Sequence, residues 1–240
     1  MTDEVILTFS EGFEFAYRET WTFIYRSWVV AALLLIPFLV ETTCQFLIGN
    51  WTPYQLLRLN IGLTLLRLSA EIIVFFIFTR FIVFHGDLRT ALRFGMNTFR
   101  TYGPFALTYI LVGALIDFVA QSGWLLASTL IDITTLSIFA LWAVSAPGGG
   151  KIVSPGACYR KGFLDLPWAL AFWLVATLPL GIILLILELI APDADAAEWY
   201  YWFHYGLQAL AVCAGTILAF AIVHVIARNS GLHFVKRSSR

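Results

Sequence analysis

The stretch Ile61–Phe84, IGLTLLRLSAEIIVFFIFTRFIVF, decides how this chain is read. Its apolar length suits a bilayer crossing, because a helix rises about 1.5 Å per residue and roughly 20 residues cover a hydrocarbon core of about 30 Å. Yet Arg67 and Glu71 lie inside it. A lone charge at mid-depth costs roughly 2.5–3.5 kcal/mol on insertion scales. Residues four apart share one helix face, so this pair can offset part of that cost where the face meets protein.

The rest of the chain agrees with a membrane setting. Its 240 residues are 60% hydrophobic and 12% charged, with mean hydropathy +0.83. A soluble domain carries about 25% charged residues, so most of this surface faces something other than water. Five further apolar runs follow the same logic: Trp28–Ile48 with Pro37, Pro104–Ala120 with Asp117, Trp124–Ala146 with Asp132, Trp168–Ile190 with Pro179 and Glu188, and Tyr200–Arg228. With Asn60–Phe84 they predict six transmembrane helices in an all-α, polytopic membrane protein. Helices satisfy their own backbone groups in lipid. Residues 1–27 are expected to be a cytoplasmic amphipathic lead-in, 28–228 the six-helix membrane domain, and 229–240 a basic cytoplasmic tail. The opening MTDEV is acidic, which predicts that the first span acts as an internal insertion signal rather than a cleaved leader.

Charge position sets the expected orientation. Of the 15 basic residues, 13 fall before span one, around the end of span two and the start of span three, before span five, or after span six. Arg58 alone lies in an opposite loop and Arg67 lies within a span. The positive-inside rule then puts both termini in the cytoplasm of a cell whose inner membrane holds the protein. The basic segments are aromatic as well. Phe9, Phe13, Tyr17, Trp21, Ile24 and Trp28 recur at helical spacing beside Arg18 and Arg26. Arg89, Arg93 and Arg100 precede span three, and Arg160 and Lys161 precede span five. These are expected to face anionic lipid on the cytoplasmic side. They hug the membrane plane, so no nucleic-acid partner is expected.

A repeat runs through the segments. Ala16-Tyr17-Arg18, Ala91-Leu92-Arg93 and Cys158-Tyr159-Arg160 each place a small residue, a large one and arginine ahead of a hairpin. Glu71 and Asp132 sit at matching positions of the first two returning spans, and the third has no acid there. The pattern predicts three repeated αα-hairpins, each opened by a cytoplasmic amphipathic helix. All three run parallel, unlike the inverted repeats of many transporters.

The segments EGFEFAYRETWTFIYRSW and DLRTALRFGMNTFRTYG, with the hairpins between and after them, resemble the membrane-domain family associated with glycerophosphoryl diester phosphodiesterases and related six-span bacterial proteins. The resemblance covers residues 7–230. It implies membrane residence and lipid proximity. In the enzymes of that family the catalytic barrel is a separate soluble domain, so no phosphodiesterase activity is carried over.

Helical rise places Glu41, near the far end of span one, level with Arg67 in span two, about 10 Å inside the boundary. Glu71 is one turn deeper and Asp132 reaches a similar depth. The polar intramembrane cluster is therefore expected to be Glu41, Arg67, Glu71 and Asp132. Arg67 is paired with Glu41 or Glu71 in this reading, and no basic residue is assigned to Asp132. Asp117 and Glu188 are expected at the wet boundary, and His204 is a further candidate. Such a cluster suits a cation or proton site, a lipid headgroup pocket, or simple pairing between spans. Cys44, Cys158 and Cys213 have no metal or redox spacing, HExxH and GxSxG patterns are missing, and PGGGKIV reads as a linker. No catalytic residue, metal or cofactor is expected. The first expectation is a non-enzymatic protein acting through membrane lipids or a membrane-protein partner. A small transporter or channel using the acid cluster is the alternative, and a lipid-modifying enzyme the weaker one.

Overall fold

Thr8 starts the first helix. In the computed structural model, which describes residues 7–47, 53–93, 95–148, 154–191 and 198–230, the Thr8 hydroxyl accepts from the Glu11 N–H at 3.3 Å. The Glu11 carboxylate accepts the Thr8 N–H at 2.9 Å, which completes a capping box. Helix α1 runs from Phe9 to Arg26 and buries Gly12, Ala16, Thr20 and Phe23 along one edge. The chain then bends by 99° into the first span.

That span is broken. It consists of α2 (Trp28–Ala31), a 3₁₀ turn (Ala32–Leu34) and α3 (Leu35–Leu47). Pro37 lacks the N–H that would bond to Leu33, and its ring crowds that carbonyl, so the distortion falls in the turn just before it. The returning helix α4 (Pro53–Val83) is 31 residues long and begins seven residues before the Asn60 start expected for span two. Next come α5 (Leu88–Ala91) and α6 (Met96–Gln121). Helix α6 runs through Pro104 and begins eight residues before the Pro104 start expected for span three. Then follow α7 (Leu125–Gly148), α8 (Pro155–Leu164), α9 (Leu166–Leu189) and α10 (Glu198–Asn229). Among the described residues five helices are long and apolar enough to cross a membrane, or six if the bent pair Phe9–Arg26 and Trp28–Glu41 counts as one span. Among the described residues there are no strands. The chain is an all-helical, multi-pass integral membrane protein.

The order short helix, span, returning span occurs three times. Packing follows the same cycle. The returning spans α4, α7 and α10 pack on one another and form the centre. Each first span lies against its own returning span and that of the preceding unit: α6 on α7 and α4, α9 on α10 and α7, α3 on α4 and α10. The lead-in helices repeat the rule, with α5 on α4, α8 on α7, and α1 on α10. The third unit thus adjoins the first, and the molecule is a closed ring of three hairpins. The repeated small residues explain the fit: Ala16, Ala91 and Cys158 are all 0% exposed. At α8, Gly162 lies so near the Ile138 carbonyl of α7 that a Cβ would collide with backbone.

Burial is uneven along the bundle. At the lead-in end, Val74, Phe78 and Phe81 of α4, Val144 of α7, and Ile217, Ala221 and Val225 of α10 are fully buried. Arg80 is buried there too. It donates from Nε to the Ala91 carbonyl (2.7 Å), from Nη2 to Arg93 (2.7 Å) and from Nη1 to Pro147 (3.2 Å), while stacking over Phe84. It ties α4 to the ends of α5 and α7. At the other end Ile61, Leu65, Leu126, Leu130, Phe203 and Leu210 are exposed, and a cavity opens between the helices. The polar cluster lies in this open half.

Residues 48–52, Phe94, the linker at 149–153 with Lys151, the acidic loop at 192–197, and the tail at 231–240 with Lys236, Arg237 and Arg240 lie outside the described residues. So does the side chain of Lys161.

Candidate functional site: a polar cavity in the open half

Arg67 sits eight residues into the apolar part of α4, about 12 Å from Leu59 by helical rise. Its Nη2 lies 2.6 Å from both carboxylate oxygens of Asp117 on α6. Its Nε lies 3.6 Å from Glu71 Oε1, one turn along α4. The Tyr109 hydroxyl, also from α6, donates to Glu71 Oε2 at 2.8 Å. Asp132 on α7 is within electrostatic reach of Arg67 and Asp117. Two carboxylates thus contact one guanidinium, and charged pairs of this kind strengthen as water is removed.

Arg67, Glu71 and Asp117 border a cavity of about 460 Å³ between α3, α4, α6 and α10. Glu41, Asn60, Thr64, Arg67, Glu71, Asp117, Gln121 and Thr216 give it polar walls. Leu34, Pro37, Phe38, Leu63 and Val212 make the rest apolar. Arg67 is half-exposed within it. With Nε and Nη2 engaged, Nη1 carries no bond among the described residues. Cys213 donates its thiol to the Ala31 carbonyl at 3.3 Å, and no imidazole lines the wall. One turn below Glu71, Phe75 packs edge-on against Phe220 and beside Phe105. Below that layer, His224 Nε2 and the Thr79 hydroxyl share a buried hydrogen bond of 3.0 Å. An aromatic layer therefore separates the cavity from the packed end.

The structure brings together Arg67, Glu71 and Asp132, and it places Glu41 on the wall of the same cavity. Arg67 meets Glu71, one of its two expected partners, and Asp117 on α6 as a further one. Arg67 also acts electrostatically on Asp132, to which no base was assigned. Asp117 was expected at the wet boundary because it is near the end of its span. The packing of α4 on α6 brings it against Arg67. The signal for Asp117 and Tyr109 was available, since they are eight residues apart and share a face of α6. His204 is buried next to the Tyr200 and Tyr205 rings and does not line the cavity. Glu188 is exposed. Among the described residues, no group of three or more His, Cys, Asp or Glu side chains is arranged to hold a metal ion.

Arg18, Arg26, Arg89, Arg93, Arg100 and Arg160 are all exposed and lie at the opposite, lead-in end. They are about 20–25 Å from the Arg67 level by helical rise along α4.

Fold and cavity together define a multi-pass membrane protein with a mixed polar and apolar pocket at one end. No protein-family model matches the chain, and no curated protein or solved structure matches it significantly.

Proposed function

We propose that this is a non-enzymatic inner-membrane protein whose open-half cavity binds a lipid headgroup. The observation that carries the reading is the half-exposed Arg67 guanidinium, which keeps Nη1 available inside a cavity with one polar and one apolar side. Phosphate is the natural partner of such a group. Glu71 and Asp117 contact that cation, Glu41 lines the same cavity, and Asp132 acts on it electrostatically. A purely anionic headgroup would meet their repulsion. A zwitterionic one, with phosphate toward Arg67 and ammonium toward the acids, satisfies both signs. Basic residues at the lead-in end support a cytoplasmic assignment for both termini, so the cavity would address the outer leaflet. The resemblance to the phosphodiesterase-associated membrane domains agrees with residence beside lipid. The lining offers hydrogen-bonding and charged groups beside apolar ones, which suits binding.

A second reading, a cation or proton path, is favoured by the excess of acids over Arg67. The Phe75–Phe220 layer and the packed lead-in half weigh against it, because a path needs a route past them.

Native mass spectrometry of protein purified from a membrane of phosphatidylethanolamine and phosphatidylglycerol tests the proposal. Wild type should retain phosphatidylethanolamine, and Arg67→Gln should lose it while keeping the same helical content. Retention unchanged in Arg67→Gln would overturn the reading.

A further inference from the structure

The lead-in end carries a second feature, independent of the cavity. Each of its three short helices is built the same way. A small residue is fully buried against the returning span of the preceding unit, and two positions later an arginine is exposed: Ala16 and Arg18, Ala91 and Arg93, Cys158 and Arg160. Arg18 and Arg160 stand on α1 and α8, and Arg93 lies two residues past the end of α5, in the connection to α6. On α1 and α8 the two-residue step turns the arginine about 200° from the buried residue, and all three arginines are exposed at the lead-in end.

Large apolar side chains are exposed beside each. Trp21 and Tyr25 accompany Arg18 at 59% and 85% exposure, Leu92 and Met96 accompany Arg93, and Tyr159 and Phe163 accompany Arg160. Helix α1 turns 99° away from the first span, which lays it across the span direction. An amphipathic element in that attitude rests in the headgroup layer with aromatics dipping into the acyl boundary. The exposed cations give the rim its charge. Arg18 also meets Glu19 at 3.2 Å, an exposed pair that a phosphate competes with.

We propose that this rim is a threefold binding surface for anionic phospholipid, with one headgroup at each lead-in helix and Arg18, Arg93 and Arg160 as the phosphate ligands. The occupant follows from charge complementarity and from the flanking apolar groups. Phosphate is recognised by guanidinium, and the acyl chains continue beside the aromatics into the bilayer. The expected stoichiometry follows from the ring: one lipid per hairpin unit.

The test is native mass spectrometry of the full chain released from vesicles of phosphatidylethanolamine with a minority of phosphatidylglycerol. It is run in wild type and in the Arg67→Gln background, so that any lipid held in the cavity is counted apart. Up to three phosphatidylglycerol molecules should be retained. Arg18→Gln, Arg93→Gln and Arg160→Gln should each reduce the occupancy of one by about fivefold, and the triple variant should reduce all three. The triple Arg→Lys variant keeps the charges and should hold its lipid, which separates loss of binding from loss of folding. Phosphatidylglycerol retention in the triple Gln variant equal to wild type would overturn the proposal. So would loss in the triple Lys variant as complete as in the triple Gln variant.

Discussion

The Arg67 Nη2 atom lies 2.6 Å from both carboxylate oxygens of Asp117, joining α4 to α6 across fifty positions of sequence. The same guanidinium meets Glu71 only at 3.6 Å, beyond hydrogen-bond length. Asp117 is thus the principal anchor of the cation and Glu71 a secondary one, held in place by Tyr109.

This ordering predicts unequal mutational costs. Asp117→Asn should destabilise the protein by about 1.5–3 kcal/mol, the range for a hydrogen bond to a charged group. Glu71→Gln should cost less. Thermal unfolding in detergent measures both. The double variant should show a coupling energy above about 0.5 kcal/mol, because both residues share Arg67.

Much of this was legible from the sequence and some was not. Six spans followed from apolar run length. Arg67, Glu71 and Asp132 came together because helical rise fixes depth within each span. Partner choice did not follow, since depth says nothing about which helices are neighbours. Only the closed ring puts α6 against α4, and so Asp117 beside Arg67. The first and third small–large–arginine triplets lie within α1 and α8, while the second runs past the end of α5, and the docking partners of all three helices are set by ring order. Arg80 looked like one more basic residue at a membrane edge. Its three carbonyl acceptors come from α5, the residues after it, and the end of α7, contacts that no local pattern encodes.

The α7–α8 contact predicts a sharp effect from one methyl group. Gly162→Ala would drive a Cβ into the Ile138 backbone, which cannot swing aside as a side chain can. Overpacking of this kind costs about 1–3 kcal/mol. Gly156→Ala in the same helix meets nothing within 4 Å and should be neutral or slightly stabilising. Unfolding midpoints of the two variants, measured side by side, check the contrast.

The ring closes where Asn229 grips Leu7. The Leu7 N–H donates to Asn229 Oδ1 at 3.0 Å, and Asn229 Nδ2 donates back to the Leu7 carbonyl at 3.1 Å. Asn229→Ala removes both bonds. Hydrogen exchange of the Leu7 amide should speed up, and α1 should open more readily from α10 while the α6–α7 hairpin keeps its protection. Equal loss of protection across the molecule would argue against a local clasp.

Acid should loosen the two lead-in caps. The Asp87 carboxylate accepts from the Thr90 hydroxyl and from the Thr90 and Arg89 N–H groups, which holds its pKa below the ordinary value. The Thr8 N–H and hydroxyl act likewise on Glu11. A depressed carboxylate contributes stability above its unfolded pKa and loses it as pH falls through the folded one. Both caps should therefore be intact at neutral pH and weaken below about pH 4. Amide exchange at Arg89, Thr90 and Glu11, followed against pH, gives the check. Asp87→Asn should flatten the profile at α5 and leave that at α1 unchanged.

The central claim is that the cavity around Arg67 holds a phospholipid headgroup. The most direct measurement replaces Phe38, on the cavity wall, with p-benzoylphenylalanine in protein reconstituted into phosphatidylethanolamine and phosphatidylglycerol vesicles. After irradiation, adducts are identified by mass spectrometry. The account predicts a phosphatidylethanolamine adduct at position 38 that falls at least tenfold when Arg67→Gln is added, a change of about 1.4 kcal/mol in binding. No lipid adduct, or an adduct whose yield and lipid identity ignore Arg67, would contradict it.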